Sequence, residues 1–295
     1  MRSERGQGTV EWVAMVLLVS VLMLAAVAVG VRVPGATLAR ALADRLLCAA
    51  SLADGCGDEP ALIAAYGSEV GGLVRKHMPT LVFERGSRAL PVDFRRCRSP
   101  SCADGPESGL VHRTDERLPV TAFVHVVDCR EGEAERTEAA GTDCSGNRAG
   151  NLYIQFWTYY PDSATLRGVP IAGEKGYHRD DWESVHLRIG PDGRVDQRAS
   201  SHHGYNYARG AQNWPSDTGT FAHDAWAPET HLLFVSGGSH AGNAFAFSEV
   251  ERFTPGRRVH LVPLEPIAKE TTDRFAVSPP WMKQVWSDPE AQGTA

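Results

Sequence analysis

The chain has 295 residues, of which 42% are hydrophobic, and it carries 30 Lys and Arg against 36 Asp and Glu. The formal net charge of −6 and the lack of any lysine- or arginine-rich block argue against a nucleic-acid-binding protein. The length fits one large domain or two small ones.

The N-terminal segment contains an uncharged, strongly apolar run from Trp12 to Val31. As a helix with a rise of about 1.5 Å per residue, this run spans the hydrocarbon core of a bilayer. Arg2 and Arg5 precede it and favour a cytoplasmic N-terminus, which places residues 33–295 outside. The sequence therefore predicts a single-pass protein of the cell membrane with an extracytoplasmic C-terminal domain. A cleaved signal peptide is the alternative, because AVAVGVRVPGA loosely imitates a cleavage site.

The residues around this run, RGQGTVEWVAMVLLVSVLML, resemble the class III signal segment of prepilin-like proteins, which include small pilins and pseudopilins. The resemblance implies peptidase cleavage after Gly6, with Glu11 five residues into the mature chain and an aromatic, Trp12, after it. It also implies a pilus-type assembly in which the carboxylate pairs with the new amino terminus of a neighbouring subunit. On the other interpretation, Glu11 marks the interfacial end of an ordinary anchor.

Proline and hydrophobic spacing divide the remaining chain. Pro34 and Gly35 end or kink the anchor, so the predicted anchor domain is 1–33. Apolar residues then recur at helical spacing within 36–50 and again from about Pro60 to His77, which predicts a helical stalk or pack-on segment over 34–77.

From Met78 the pattern changes to short runs rich in β-branched and aromatic residues, separated by turn signals. The predicted strands are TLVFE, VTAFVHVVD, NLYIQFWTYY, SVHLRI, RVDQRASS and HLLFVSGG. SVHLRIGPDGRVDQRA predicts a hairpin turning at residues 190–193. The fold class is therefore mainly β, with an antiparallel β-sandwich-like extracytoplasmic domain over 78–295.

The six cysteines form three near-neighbour pairs along the chain: Cys48 and Cys56, Cys97 and Cys102, Cys129 and Cys144. An even number in an extracytoplasmic domain predicts disulfides. Fifteen connectivities are possible, of which local pairing is the simplest. No CxxC pair occurs, which argues against a cysteine zinc site.

The densest group of possible metal ligands is GYHRDDWE, residues 176–183. On a strand, Asp181 and Glu183 point to one face and Trp182 to the other. His178 can reach the two carboxylates from the preceding loop. Oxygen ligands with one imidazole favour Ca²⁺ or Mg²⁺ over Zn²⁺.

Two histidine-containing segments follow later predicted strands, SSHHGYN (200–206) and SGGSHAGN (236–243). If these strands are neighbours in one sheet, His202 or His203 and His240 approach the carboxylates. Each histidine alone is better explained as a surface or hydrogen-bonded core residue. Together, after successive strands, they predict a shared site.

GYHRDDWE also resembles the GHRHDWE heptapeptide of the necrosis- and ethylene-inducing-like proteins, secreted cytolysins with a β-sandwich fold. The resemblance implies that His178, Asp181 and Glu183 bind a divalent cation, with Asp162 as a further ligand. It also implies recognition of sphingolipid head groups and damage to target membranes. The chain departs from the heptapeptide at Asp180, which replaces its second histidine.

A longer resemblance, over residues 78–265, is to the vacuolar protein sorting-associated protein 62 family. It is carried, in order, by MPTLVFERGSRALPVDF, NLYIQFWTYYPD, HRDDWESVHLRI, SSHH and SGGSHAGN. This resemblance implies that His202 or His203 and His240 belong to the same site. It bears on architecture and ligands more than on a reaction.

Three functions follow as hypotheses. The first is a divalent-cation module that recognises a glycan, a lipid head group or an envelope component. The second is a metal-dependent hydrolase in which the cation activates water and Asp180 or His240 serves as base. The third is a pilin-like structural subunit. Binding and catalysis can use the same ligands, so the sequence does not choose between the first two.

Overall fold

The computed structural model describes residues 59–84, 87, 89–98, 118–163, 178–201, 204–206, 226–243, 253–255 and 259–291. All of them belong to the second of two contact units, Asp58–Ala295. Several predicted features lie outside the described residues: the anchor run 12–31, Gly6, Glu11, Cys48, Cys56, Cys102, His202 and His203. None of the helices within the described ranges is long and apolar enough to span a bilayer.

Eleven strands in the described ranges form two sheets. They are β1 (Thr80–Glu84), β2 (Thr121–Asp128), β3 (Leu152–Ser163), β4 (His178–Ile189), β5 (Val195–Ser201), β6 (Gly204–Asn206), β7 (Ala227–Pro228), β8 (Leu232–Val235), β9 (Gly242–Asn243), β10 (Phe253–Pro255) and β11 (His260–Pro263). The larger sheet has the order β11-β2-β3-β4-β5-β6, with β7 paired to β5, and the smaller has the order β10-β1-β8-β9.

Within the described ranges, four short or medium α-helices accompany the sheets: α1 (Glu59–Lys76), α2 (Ala134–Ala139), α3 (Glu265–Glu270) and α4 (Gln284–Ser287). The predicted second helix corresponds to α1, which contains a non-helical residue at Gly67 (φ 79°). Leu62, Val70 and Val74 of α1 are buried in the same apolar cluster as the sheets. In the described structure, α1 therefore packs onto the β-rich core.

The prediction of a mainly β protein with two sheets is confirmed, but its purely antiparallel pairing is wrong. The hairpin β4–β5 and the pair β3–β4 are antiparallel, as expected. Strand β1 pairs with β8 in parallel, and β2 pairs with β11 in parallel. Parallel partners need long crossover connections, and in both pairs most of the domain's sequence lies between the two strands.

The main apolar core lies between the two sheets. Phe156, Val185 and Leu187 of the larger sheet share one buried cluster with Leu81 and Leu233 of the smaller sheet. Burying such side chains contributes about 1.5–3 kcal/mol each relative to exposure. This two-layer arrangement requires the inward and outward residues of β3 and β4 to alternate strictly.

The opposite face of the larger sheet is covered by chain and not by solvent. Trp157, Tyr159 and Trp182 form a second buried cluster with residues from 92–97 and from the C-terminal segment. The C-terminal segment is tied down by polar contacts, since the Gln155 side-chain amide donates to the carbonyl of Val285 at 2.6 Å. Strands β3 and β4 are therefore buried on both faces.

The predicted local disulfide between Cys129 and Cys144 is present, and it spans 15 residues that include α2. Closing a loop of this length stabilises a fold by about 3 kcal/mol in the chain-entropy treatment. Cys97 is also disulfide-bonded, and its partner lies outside the described residues.

Candidate functional site

Asp181 and Glu183 lie near the start of β4 on the face that looks into the space between the sheets. Both are buried, and their cross-strand neighbours on β3 are Tyr160 and Thr158. Trp182 points to the other face and packs in the aromatic cluster with Tyr159, their ring centroids 4.9 Å apart. The predicted alternation along DWE is therefore what the structure shows.

His240 contacts the first of these carboxylates, that of Asp181. Its Nδ1 lies 2.7 Å from Oδ2 of Asp181, and its ring stacks on Tyr160 with centroids 3.9 Å apart. The expectation that their strands are neighbours in one sheet is wrong, because β8 belongs to the smaller sheet and β4 to the larger. His240 reaches Asp181 across the sandwich, where β9 packs against β4 and β5.

The glycine that follows His240 explains how the two sheets come so close here. A Cβ on Gly242 would lie 3.0 Å from Cδ1 of Leu233 and 3.4 Å from Cβ of Ala199. The backbone of Gly242 also hydrogen-bonds the carboxylate of Glu183. The segment SHAGN therefore places a histidine and a backbone donor beside the two acids of β4.

Two buried polar atoms of this group have no hydrogen-bond partner among the described residues: Oε2 of Glu183 and Nε2 of His240. Such atoms are rare in folded proteins, and each costs about 1–3 kcal/mol if left unsatisfied. Both are of the type that ligates metals, a carboxylate oxygen and an imidazole nitrogen.

The electrostatics of the cluster are those of crowded acids. Burial raises the pKa of Glu183 well above its usual value, and repulsion from Asp181 raises it further. Lys283 and the hydrogen bond from Gly242 act in the opposite direction. Lys283 is itself buried, which lowers its pKa despite the attraction of both carboxylates. Here and below, the group formed by Asp181, Glu183 and His240 is called the β4 cluster.

The other predicted ligands within the described residues are His178 and Asp162. Nε2 of His178 is 3.8 Å from Oδ1 of Asp181, and the imidazole is partly exposed. Regular alternation would put residues three apart on opposite faces, but Asp180 between them has a φ of 59° and interrupts it. Asp162 is buried and faces Arg179 across the β3–β4 ladder.

Asp180 points away from the β4 cluster. Its carboxylate accepts hydrogen bonds from the Tyr159 hydroxyl at 2.8 Å and from the Ala276 backbone at 2.7 Å, and Oδ1 lies 3.2 Å from Nε of Arg98. The guanidinium of Arg98 lies 4.0 Å from the ring centroid of Phe275. Asp180 therefore joins β4 to two covering segments. The hypothesis that it serves as a catalytic base does not fit these contacts.

A second group of potential ligands was not predicted from the sequence. His77, Glu229 and His231 each offer one ligand atom within 4.8 Å of the others, and no other His, Cys, Asp or Glu group of the described residues meets that criterion, the β4 cluster included. The sequence contains a weak signal for it, since Glu229 and His231 are two residues apart beside a predicted strand. Nothing local connects them with His77.

Comparisons with known proteins give distant likenesses. No family model matches the chain, and no curated protein matches it. One similar solved structure is described as a toxin fold for microbial attack and plant defense, at 17% identity and a TM-score of 0.38. Two others are of NLPPya in complex with mannosamine and with glucosamine, each at 18% identity and a TM-score of 0.36.

Each of these alignments covers 72% of this chain and 84% of the other. TM-scores below 0.5 do not establish a common fold. The resemblances to the vacuolar protein sorting-associated protein 62 family and to prepilins stay predictions.

Proposed function

We propose that the β4 cluster binds a divalent cation and that the cation holds a glycan or lipid head group outside the cell. The observation that carries this proposal is that two buried ligand-type atoms, Glu183 Oε2 and His240 Nε2, have no hydrogen-bond partner among the described residues, while Nδ1 of the same histidine contacts Asp181. A cation at the cluster would satisfy ligand-type atoms that the protein alone leaves unsatisfied, and it would relieve the repulsion between the two acids.

The donor set favours Ca²⁺ or Mg²⁺. Carboxylate oxygens dominate it, and hard cations prefer oxygen ligands. Ca²⁺ takes about six to eight oxygen ligands, which is more than the carboxylates of Asp181 and Glu183 supply. The remaining positions are available to water or to hydroxyl and phosphate oxygens of a bound head group.

Binding is supported better than hydrolysis by the position of Asp180. A base must reach the water that the cation activates, and Asp180 lies on the other face of β4 with its oxygens engaged by Tyr159, Ala276 and Arg98. Of the two bases proposed for a hydrolase, only His240 remains, and its Nδ1 faces Asp181.

Calcium or magnesium titration of the purified full-length protein tests the cation site. We expect one equivalent to bind by calorimetry, and Asp181→Asn to weaken binding at least about 100-fold, since loss of even an outer ligand costs 10–100-fold. Asp192→Asn is the matched control, because Asp192 is an exposed aspartate in the turn between β4 and β5. Equal affinity in the wild type and Asp181→Asn, or no binding to either, would refute the proposal.

The head-group step is tested separately. Immobilised sugars form one arm, and vesicles of neutral or anionic phospholipid form the other. We expect binding in one arm that needs the cation and is absent from Asp181→Asn. Binding of a sugar or vesicle that persists in chelator would show that this ligand is not recognised through a cation at the β4 cluster.

We also propose that residues 12–31 anchor the chain in the cell membrane, with the β-rich domain outside. The support is the uncharged run itself and the Arg2 and Arg5 that precede it. Mass spectrometry of the mature N-terminus checks the prepilin-like processing, for which we expect a chain beginning at Gln7. An intact Met1 contradicts cleavage after Gly6.

A further inference from the structure

His77, Glu229 and His231 form a compact group in which two imidazoles surround one carboxylate. Nδ1 of His77 lies 2.9 Å from both carboxylate oxygens of Glu229. Nδ1 of His231 lies 3.1 Å from Oε1 of the same carboxylate. The two imidazole rings are nearly parallel, at 18°, with centroids 6.0 Å apart. One carboxylate oxygen is therefore placed between two imidazole nitrogens.

The backbone holds these three residues independently of their side chains. His77 follows α1 directly, and its N–H donates to Leu73 at 3.0 Å. The N–H of Thr80 donates to the carbonyl of His231 at 2.9 Å, where β1 and β8 begin to pair in parallel. The group thus sits where the end of α1 meets the connection between β7 and β8.

Burial within the group is graded from inside to outside. The side chains of His77 and Glu229 are 5% and 7% exposed, whereas that of His231 is 61% exposed. His231 has a φ of 56°, a left-handed conformation that residues other than glycine seldom adopt. An exposed histidine held in this conformation still directs Nδ1 at the carboxylate, so an ion can enter from the His231 side.

We propose that His77, Glu229 and His231 bind Zn²⁺, with a fourth position open to water on the exposed side. Two imidazoles and one carboxylate are a zinc donor set, unlike the oxygen-rich β4 cluster. Bonds of about 2.0–2.2 Å in tetrahedral geometry separate ligand atoms by about 3.3–3.5 Å. The two imidazole–carboxylate separations of 2.9 and 3.1 Å need to open by only a few tenths of an ångström. The ligand atoms of the two imidazoles lie within 4.8 Å of each other.

This site would join the end of α1 to the smaller sheet, because its ligands come from both. Zinc binding requires the Nδ1 atoms to be deprotonated: a neutral imidazole then carries its one proton on Nε2, and an imidazolium releases its second proton to solvent. An ion that binds the folded chain and not the unfolded one raises the unfolding temperature. The inference is independent of the proposed function, since it uses none of the β4 cluster.

Zinc titration of the chelator-treated full-length protein, in competition with a chromophoric chelator, tests the site. We expect one zinc equivalent in the wild type, a visible absorption band when Co²⁺ replaces Zn²⁺, and a higher unfolding temperature with the metal. His231→Ala should weaken zinc binding at least about tenfold and abolish the thermal shift. Its side chain is mostly exposed, so this variant is expected to fold.

Three further variants make the outcome decisive. Glu229→Gln should also lose zinc, because it keeps the shape and removes the anionic oxygen. His260→Ala removes another exposed histidine and should retain it. Asp181→Asn should keep zinc while losing calcium, which separates this site from the β4 cluster. Equal zinc affinity in the wild type and His231→Ala, or no bound zinc at all, would overturn the inference and leave the three residues as a hydrogen-bonded group.

Discussion

Replacing Asp180 by alanine is expected to lower the free energy of unfolding by about 3–5 kcal/mol. The change removes the acceptor for the Tyr159 hydroxyl and for the backbone N–H of Ala276. It also removes the buried partner of the Arg98 guanidinium, which is only 24% exposed and keeps the half-exposed Asp273 and the carbonyl of Arg274. Chemical denaturation of the purified protein with and without the substitution measures this loss.

Asp180→Asn is the matched variant. Asparagine tolerates the left-handed backbone at this position and keeps one oxygen acceptor. Asp180→Asn should therefore lower the free energy of unfolding clearly less than Asp180→Ala does. Both Asp180 variants should retain calcium binding, because Asp180 faces away from the β4 cluster. A loss below about 1 kcal/mol in Asp180→Ala, or a calcium affinity that falls as far as in Asp181→Asn, would contradict the structural role.

Glu183→Gln is expected to have opposite effects on stability and on cation binding. Burial and the proximity of Asp181 raise the pKa of Glu183 in the folded state. In metal-free protein, the preference of the folded state for protonated Glu183 stabilises the fold at pH values below the pKa of this residue in the unfolded chain, for which the reference value is 4.5. This stabilisation is lost as the pH rises through the higher pKa of Glu183 in the folded state. Glutamine does not ionise, so the variant lacks this pH-dependent loss of stability. At alkaline pH its free energy of unfolding should exceed that of the wild type by about 1–3 kcal/mol.

In the presence of calcium the wild type should be more stable than Glu183→Gln, because calcium binds the wild type and is not held by glutamine. Denaturation curves at two pH values, in chelator and in calcium, measure both effects. Glu265→Gln is the matched control with the opposite sign. Burial alone would raise the pKa of Glu265, but hydrogen bonds from His125 and Tyr66 lower it overall. Glu265→Gln should therefore be less stable than the wild type at pH values above the unfolded pKa of Glu265. Identical pH profiles of stability for the two variants would contradict a raised pKa for Glu183.

Local features of the chain follow from the sequence because they depend on neighbouring residues. The β4–β5 hairpin was predicted from its turn residues at 190–193, and the structure places it there. The opposite orientation of Asp181 and Trp182 follows from the two-residue period of a strand. The pairing of Cys129 with Cys144 follows from their short separation. None of these requires knowledge of how the sheets meet.

Asp180 marks the limit of that local reasoning. Its residue type and its place in a dense charged octet made it a candidate base, but the left-handed backbone and the covering segments decide its role. Arg98 and Ala276 lie far from it along the chain, so no spacing rule connects them.

By itself, the sequence determined the β character of the strands from β1 onward, the identity of the ligand-type side chains on β4, and the apolar run at the N-terminus. Only the tertiary structure showed that His240 contacts Asp181, because His240 arrives from the other sheet. It alone brought His77 to Glu229, more than 150 residues away along the chain. The physical reason is that side-chain alternation and turns are local, whereas the packing of one sheet on another is a cooperative property of the whole core.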